Sequence, residues 1–223
     1  MVNHIMRGRI KKEKKMRKQV THGLVALLML LGLAFCGKKE VSQKPTSMVI
    51  VFTSGEATVV KGAERIPARV GLLVAQNDEI QTTNGSVDLQ TRGGSAIRVK
   101  EFTTIKVATL LGDGDTKISM KHGGLLANVK KSSANEDFSV VTPTAIAGVR
   151  GTTFSVEMED EQSSPVVKVL DGKVAMSPRI TALEKADAAT IQKDESLSRL
   201  AEIQRKNEVI VEPATSATLD RAV

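Results

Sequence analysis

The stretch Val166-Val167-Lys168-Val169-Leu170-Asp171-Gly172-Lys173-Val174-Ala175-Met176 sets the fold class. Two valine-rich runs flank Asp-Gly, a pair that favours a tight turn. The spacing predicts a β-hairpin closed at Asp171-Gly172. Working outward, the same alternation of short runs and turn residues repeats. Met48-Val49-Ile50-Val51-Phe52 is a continuous apolar run, and Ala57-Thr58-Val59-Val60 follows a Ser54-Gly55 turn. Asn84-Gly85 precedes Val87-Asp88-Leu89 and predicts a second hairpin turn with both of its residues at positive φ. Ile97 and Val99 alternate with Arg98 and Lys100, and Ile105 and Val107 with Lys106. Asp113-Gly114 precedes Ile118-Ser119-Met120, and Phe154, Val156 and Met158 alternate with Ser155 and Glu157. Period two buries one face of a strand and wets the other. Residues 48–178 are therefore expected to form an all-β domain of short antiparallel strands.

A loose echo runs through this region. Ser54-Gly55-Glu56-Ala57-Thr58-Val59, Gly124-Leu125-Leu126-Ala127-Asn128-Val129 and Asp171-Gly172-Lys173-Val174-Ala175-Met176 share a glycine followed by an apolar run. Their spacing is uneven, so no strict repeat period is present. Short strands leave edges that a barrel or a wound coil would hide. A twisted, solenoid-like β arrangement is expected, with a small sandwich or barrel as the alternative.

After Pro178 the composition changes. Thr181-Ala182-Leu183-Glu184 fits a capping box. Leu183, Ala186 and Thr190, then Leu197, Leu200, Ala201 and Ile203, make a weak apolar stripe interrupted near Lys193-Asp194. Residues 179–207 are read as a tail of one or two amphipathic helices, and 208–223 as a flexible end.

The N-terminal side has a different logic. A basic run (Arg7, Arg9, Lys11, Lys12, Lys14, Lys15, Arg17, Lys18) precedes an apolar stretch from Gly23 to Phe35. As a helix that stretch reaches only ~20 Å, short of a hydrocarbon layer of roughly 30 Å. Basic, apolar, then a short break is the layout of a secretory signal peptide over 1–35, with Met1, Met6 or Met16 as its start. The sole cysteine, Cys36, stands where the apolar stretch ends, with Leu33 three residues before it. This arrangement resembles a bacterial lipoprotein signal, although Phe35 is bulky where such signals prefer a small residue. The resemblance implies cleavage between Phe35 and Cys36 and fatty acyl chains, palmitate among them, on the cysteine. Residues 36–47, polar and carrying Pro45, read as a tether that reaches up to ~35 Å when extended.

Charge and composition narrow the function classes. The formal net charge is +7, but residues 1–35 carry eight basic and one acidic side chain. That leaves 24 of the 32 basic and 24 of the 25 acidic residues, a balanced remainder. Without excess positive charge there is no broad field to attract phosphate backbones, and no nucleic-acid partner is expected. Five Phe, no Trp and no Tyr leave little surface for base or sugar stacking. His122 is the only histidine after residue 35, so a His-rich metal site is impossible, and its Gly123-Gly124 neighbours place it in a turn. Asp113-Gly114-Asp115 lacks the remaining ligands of a calcium loop and reads as a hairpin turn. Glu159-Asp160-Glu161 reads as a solvated loop. No cofactor, metal, catalytic residue or small-molecule ligand is expected.

The densest motif is Thr142-Pro143-Thr144-Ala145-Ile146-Ala147-Gly148-Val149-Arg150-Gly151-Thr152-Thr153-Phe154-Ser155-Val156. Pro143 fixes φ, and the glycines around Val149-Arg150 permit unusual backbone angles. A tight reversal presenting Arg150 is expected, then a strand at 152–158. Arg150 either contacts an anion or partner, or ties neighbouring turns together through their carbonyls.

This stretch resembles the signature of the FecR domain, the periplasmic part of the ferric-citrate regulator family. Thr142, Pro143, Ala145, Gly148, Val149, Arg150, Gly151, Thr152, Phe154 and Val156 carry the likeness. Asn77-Asp78-Glu79-Ile80-Gln81-Thr82, Val87-Asp88-Leu89 and Gly94-Ser95-Ala96-Ile97-Arg98-Val99 fit the same family's rhythm. The resemblance implies a solenoid-like β fold and a mainly structural role for the motif.

FecR regulators place an anti-sigma segment and a membrane helix before this domain. About 20 residues precede the apolar stretch here, so the chain is similar instead to stand-alone FecR-domain lipoproteins of spirochaetes such as Leptospira. The expectation is a non-enzymatic envelope protein held by acylated Cys36, in the outer membrane more than the inner, facing the periplasm or the surface. It would bind or scaffold an envelope protein or peptidoglycan. The alternative is a sensory or regulatory component of cell-surface signalling without its own anti-sigma segment.

Overall fold

The computed structural model describes residues 47–110, 115–131 and 137–219. The signal-like segment, Phe35, Cys36 and the tether up to residue 46 lie outside these residues, as do Asp113 and Gly114. Among the described residues no helix is long and apolar enough to cross a membrane.

Among the described residues sixteen strands follow one another. They are β1 (Ser47–Ser54), β2 (Ala57–Lys61), β3 (Glu64–Pro67), β4 (Leu73–Ala75), β5 (Glu79–Thr82), β6 (Ser86–Gln90), β7 (Ala96–Val99) and β8 (Thr104–Leu110). Then come β9 (Thr116–Asn128), β10 (Phe138–Val141), β11 (Ala145–Val149), β12 (Thr153–Met158), β13 (Val166–Asp171), β14 (Val174–Pro178), β15 (Val209–Val211) and β16 (Ser216–Thr218). They pair in two ladders. One runs β4-β1-β6-β7-β9-β12-β13-β16, the other β3-β2-β5-β8-β9-β10-β11-β14-β15. Pairing is antiparallel except between β9 and β10. The end strands β3, β4, β15 and β16 each pair on one side only, so the sheet does not close into a barrel. The domain is all-β, as the alternation predicts.

The long strand β9 belongs to both ladders. Its first half pairs with β8 and β10, and its second half, from Gly123, with β7 and β12. Gly123 makes the change of ladder with φ +95°, where a Cβ would stand 2.3 Å from Thr103 Oγ1. His122 therefore lies inside a strand rather than in a turn. Alternate residues of both ladders meet in a single apolar cluster. Ile50, Leu89, Ile97, Leu125, Phe154 and Val156 enter from one ladder, and Val59, Ile80, Ile105, Ile118, Met120 and Met176 from the other. At about 25 cal/mol per Å² of apolar surface, burial of such side chains is the main stabilising term. Phe154 packs edge-to-face on Phe138 with ring centres 6.3 Å apart.

The expected hairpin at Asp171-Gly172 does not form. β13 pairs with β12 and β16, whereas β14 pairs with β11 and β15. Gly172 has φ +88°, and a Cβ there would stand 2.7 Å from Thr152 Oγ1. The turn stacks on the Arg150-Gly151-Thr152 turn, and that stacking carries the chain into the other ladder. Asp-Gly encodes a sharp change of direction, but not which strands pair beyond it. Asn84-Gly85 is corrected in the same way: β5 pairs with β2 and β8, β6 with β1 and β7, and neither turn residue has positive φ.

The C-terminal part also departs from expectation. Three short helices replace the one or two expected: α1 (Thr181–Glu184), α2 (Ala188–Lys193) and α3 (Glu195–Lys206), none with a buried residue. The capping box is absent because Ile180 occupies the N-cap and Glu184 turns back to Arg179, at 2.9 Å. Asp187 and Asp194 cap α2 and α3 through backbone amides instead. Nor is 208–223 a flexible tail as far as it is described. β15 joins β14, β16 joins β13, and Val211 enters the core opposite Val174. Three β-branched or apolar residues suffice because a preformed edge receives them.

Gly123→Ala is expected to lose well over the ~1–2 kcal/mol that a left-handed L-residue costs, since it adds a clash with Thr103. Gly62→Ala, at φ +62° with nothing within 4 Å of the new methyl, should lose only that conformational cost. Urea midpoints of the two variants measure the difference.

Candidate functional site

Strand register places four residues in a row on the outer face of one ladder. Ser139 of β10 opposes Gly148 of β11, Gly148 opposes Ala175 of β14, and Ala175 opposes Ile210 of β15. Their inward neighbours Phe138, Val149, Val174 and Val211 are buried, so this row faces out. Three small residues form the floor and Ile210, half exposed, rises as one wall. The resulting trench has a volume of about 800 Å³ and is largely apolar.

Charged residues line one side of the row, at the strand ends where the 150–152 and 171–173 turns stack. Arg150 reaches Asp137 with Nε and a terminal nitrogen at 2.9 and 2.8 Å from Oδ1. Lys173 meets Glu212 at 2.7 Å and holds the Glu212 carboxyl below the usual range, first by the hydrogen bond and then by its charge. Lys131 packs its Cβ over Gly151, where an added methyl would come within 2.8 Å. Lys131 has no ion-pair partner among the described residues. Beneath them Thr152, 1% exposed, donates to the carbonyl of Lys173 at 3.0 Å and pins the two turns together.

Elsewhere charge covers much of the outer faces, although Val51, Phe52, Leu73 and Leu170 are exposed as well. Arg98 grips Asp88 through two bonds of 2.7 Å, and Glu157 bridges Lys100 and Lys168. Glu79 binds Lys121 and Gln81; burial raises its carboxyl, but these bonds and the Lys121 and Lys106 charges leave it net below the usual range. The trench combines a gap in this polar cover with a concave floor.

The motif residues read from the sequence fall in four places. Gly148, Val149, Arg150 and Gly151 line the trench, although the first two belong to β11, and the change of direction begins only at Arg150. Arg150 holds a carboxylate rather than turn carbonyls. Thr142, Pro143 and Ala145 build the β10–β11 hairpin turn, where the Thr142 hydroxyl accepts from Ala145 N–H at 3.0 Å. Thr152 ties the corner, and Phe154 and Val156 fill the core. The trench residues Lys131, Asp137, Ser139, Lys173, Ala175 and Ile210 were not picked out, because only strand register brings them together. Asp160 is the centre of an exposed turn, accepting from Gln162 and Ser163, which lowers its carboxyl. Among the described residues no group of three His, Cys, Asp or Glu side chains could hold a metal ion.

Residues 78–175 match the family model described as FecR protein. Two crystal structures of a proposed anti-sigma factor from Parabacteroides distasonis, at 1.65 and 2.50 Å resolution, align with the chain at 17% identity and a TM-score of 0.46. Each alignment covers 64% of this chain and 54% of the other, so the chain spans about half the length of the structures it matches. No curated protein matches the sequence.

The hairpin turn offers a paired stability test. Thr142→Val removes a buried hydroxyl that makes two hydrogen bonds and should cost about 1–3 kcal/mol. Thr144→Val removes a buried hydroxyl without a partner and should leave stability unchanged or raise it. Thermal melting of both variants checks the contrast.

Proposed function

We propose that this chain is a regulatory component of cell-surface signalling whose solenoid-like FecR domain acts by docking a protein partner, without a reaction of its own. The FecR match over residues 78–175 supports this reading, since that stretch contains the trench corner at Gly148 to Gly151 and Gly172 to Ala175. A largely apolar sheet face beside clustered cations suits recognition of a partner. The basic run, apolar stretch and Cys36 support a lipid-anchored form of the spirochaetal type. Acyl chains on Cys36 and a polar tether to residue 47 would hold the sheet at the envelope, in the outer membrane more than the inner. Two or more chains give stable attachment where one gives marginal binding.

Deleting the gene should change transcription of an envelope-responsive gene set, and a variant disabled at the trench should reproduce that change. Unchanged transcription in the deletion strain would remove the regulatory reading. For the anchor, the mature protein should partition into detergent, its N-terminal peptide should carry the mass of an acylated cysteine, and Cys36→Ala should remain water-soluble or unprocessed. An N-terminal peptide beginning at residue 1 with a free thiol would refute it.

A further inference from the structure

Gly148 lacks a side chain for no reason internal to the fold. Its φ is not positive, and an added Cβ would meet only the Ala175 carbonyl oxygen, at 3.8 Å. Gly151 and Gly172 differ: both have positive φ, and a methyl on either would come within 2.8 Å of a neighbour. Glycine in a strand interior is less stable than alanine, and it commonly marks a place where another chain or ligand comes close. Ser139 and Ala175 flank it in register, so a path across three strands carries nothing larger than a hydroxyl or a methyl.

From Ser139 to Ile210 the row spans three strand intervals, about 14 Å at ~4.8 Å each. That length matches roughly four residues of extended polypeptide at ~3.3 Å per residue. The charge beside the row has a sign. Lys117, in register with Ser139, together with Lys131, Arg150 and Lys173, faces three carboxylates: Asp137, Glu212 and Asp115, whose Oδ1 accepts from Asp137 N–H at 3.3 Å. One cation is left in excess among the described residues. Both ion pairs are more than half exposed. Such exposed pairs add little to stability, so a partner's carboxylate can replace Asp137 on Arg150 at small cost.

We propose that the trench seats an extended, acidic segment of a protein partner, with an apolar side chain bedded on Gly148 against Ile210 and a carboxylate held by Lys131 and Arg150. This rests on the docking reading above and supplies the partner's chemistry: an apolar residue followed closely by Asp or Glu. The bare floor gives the apolar side chain desolvated contact, and the lysine and arginine fix which side of the row the carboxylate takes.

The test is selection of a displayed library of random heptapeptides on the full chain in detergent micelles, followed by anisotropy titration of the recovered peptides. Recovered sequences should share an aliphatic or aromatic residue with Asp or Glu one to three positions away. Gly148→Val fills the trench while suiting a strand, and should weaken these peptides by about tenfold or more without lowering the melting temperature. Lys131→Glu should weaken them roughly fivefold, and serves as the readout should Gly148→Val fail to fold. Recovery of basic peptides, of none, or of peptides that bind both variants as well as the native chain overturns the proposal. So does binding to anionic phospholipid vesicles that Gly148→Val abolishes, which would assign the trench to lipid. A site-specific photocrosslinker at Ile210 in cells separates this failure from the broader one. An envelope partner captured equally by native and Gly148→Val chains sinks the trench but leaves docking intact.

Discussion

The sheet depends on one constraint: where β9 passes from one ladder to the other, ladder hydrogen bonds must stop and the stranded backbone groups still need partners. Thr103, fully buried, meets that need. Its hydroxyl accepts from Gly124 N–H at 2.8 Å and lies 3.0 Å from the Glu101 carbonyl. Its own N–H donates to Thr82 Oγ1, while Lys100 N–H reaches the Gly124 carbonyl and Phe102 N–H the Thr83 carbonyl. Three separate segments interlock there without a side chain on Gly123 to part them. An unpaired buried amide would cost about 1–3 kcal/mol, so the hydroxyls let the chain cross through the interior. Phe102 records the strain, with φ +51° and a largely exposed ring.

Corners of this kind explain what the sequence could and could not disclose. Alternation is a local property, and the inward residues it names, such as Ile97, Val99, Phe154 and Val156, are all fully buried. Turn positions were legible too, since Asp171-Gly172 and Asn84-Gly85 do change the chain's direction. The pairing beyond each turn was not. A hairpin and a step between ladders use the same turn residues, and the outcome rests on what stacks against the turn. β15 was missed for a related reason. The three apolar residues between Glu208 and Glu212 show no period, and their strand character comes from the β14 edge that receives them.

The candidate site shows the same division. Arg150 and the glycines beside it stood out as a motif, yet their meanings differ once the register is known. Gly151 is needed for its backbone angle and its contact with Lys131, whereas Gly148 is free of both demands. Lys131, Asp137, Lys173 and Ile210 come from four segments spread over 80 residues of chain. No spacing rule links them. A surface of this sort is written in strand order rather than in any contiguous signature.

Ile210 reaches the trench on a strand added after the three helices, beyond the stretch that matches FecR, whereas the floor and the cations lie within that stretch or beside it. Architecture and selectivity are thereby separable. The one wall of the trench is an outward residue whose neighbour Val211 is anchored in the core. Changing Ile210 alone would therefore reshape the opening while the strand that carries it stays in place.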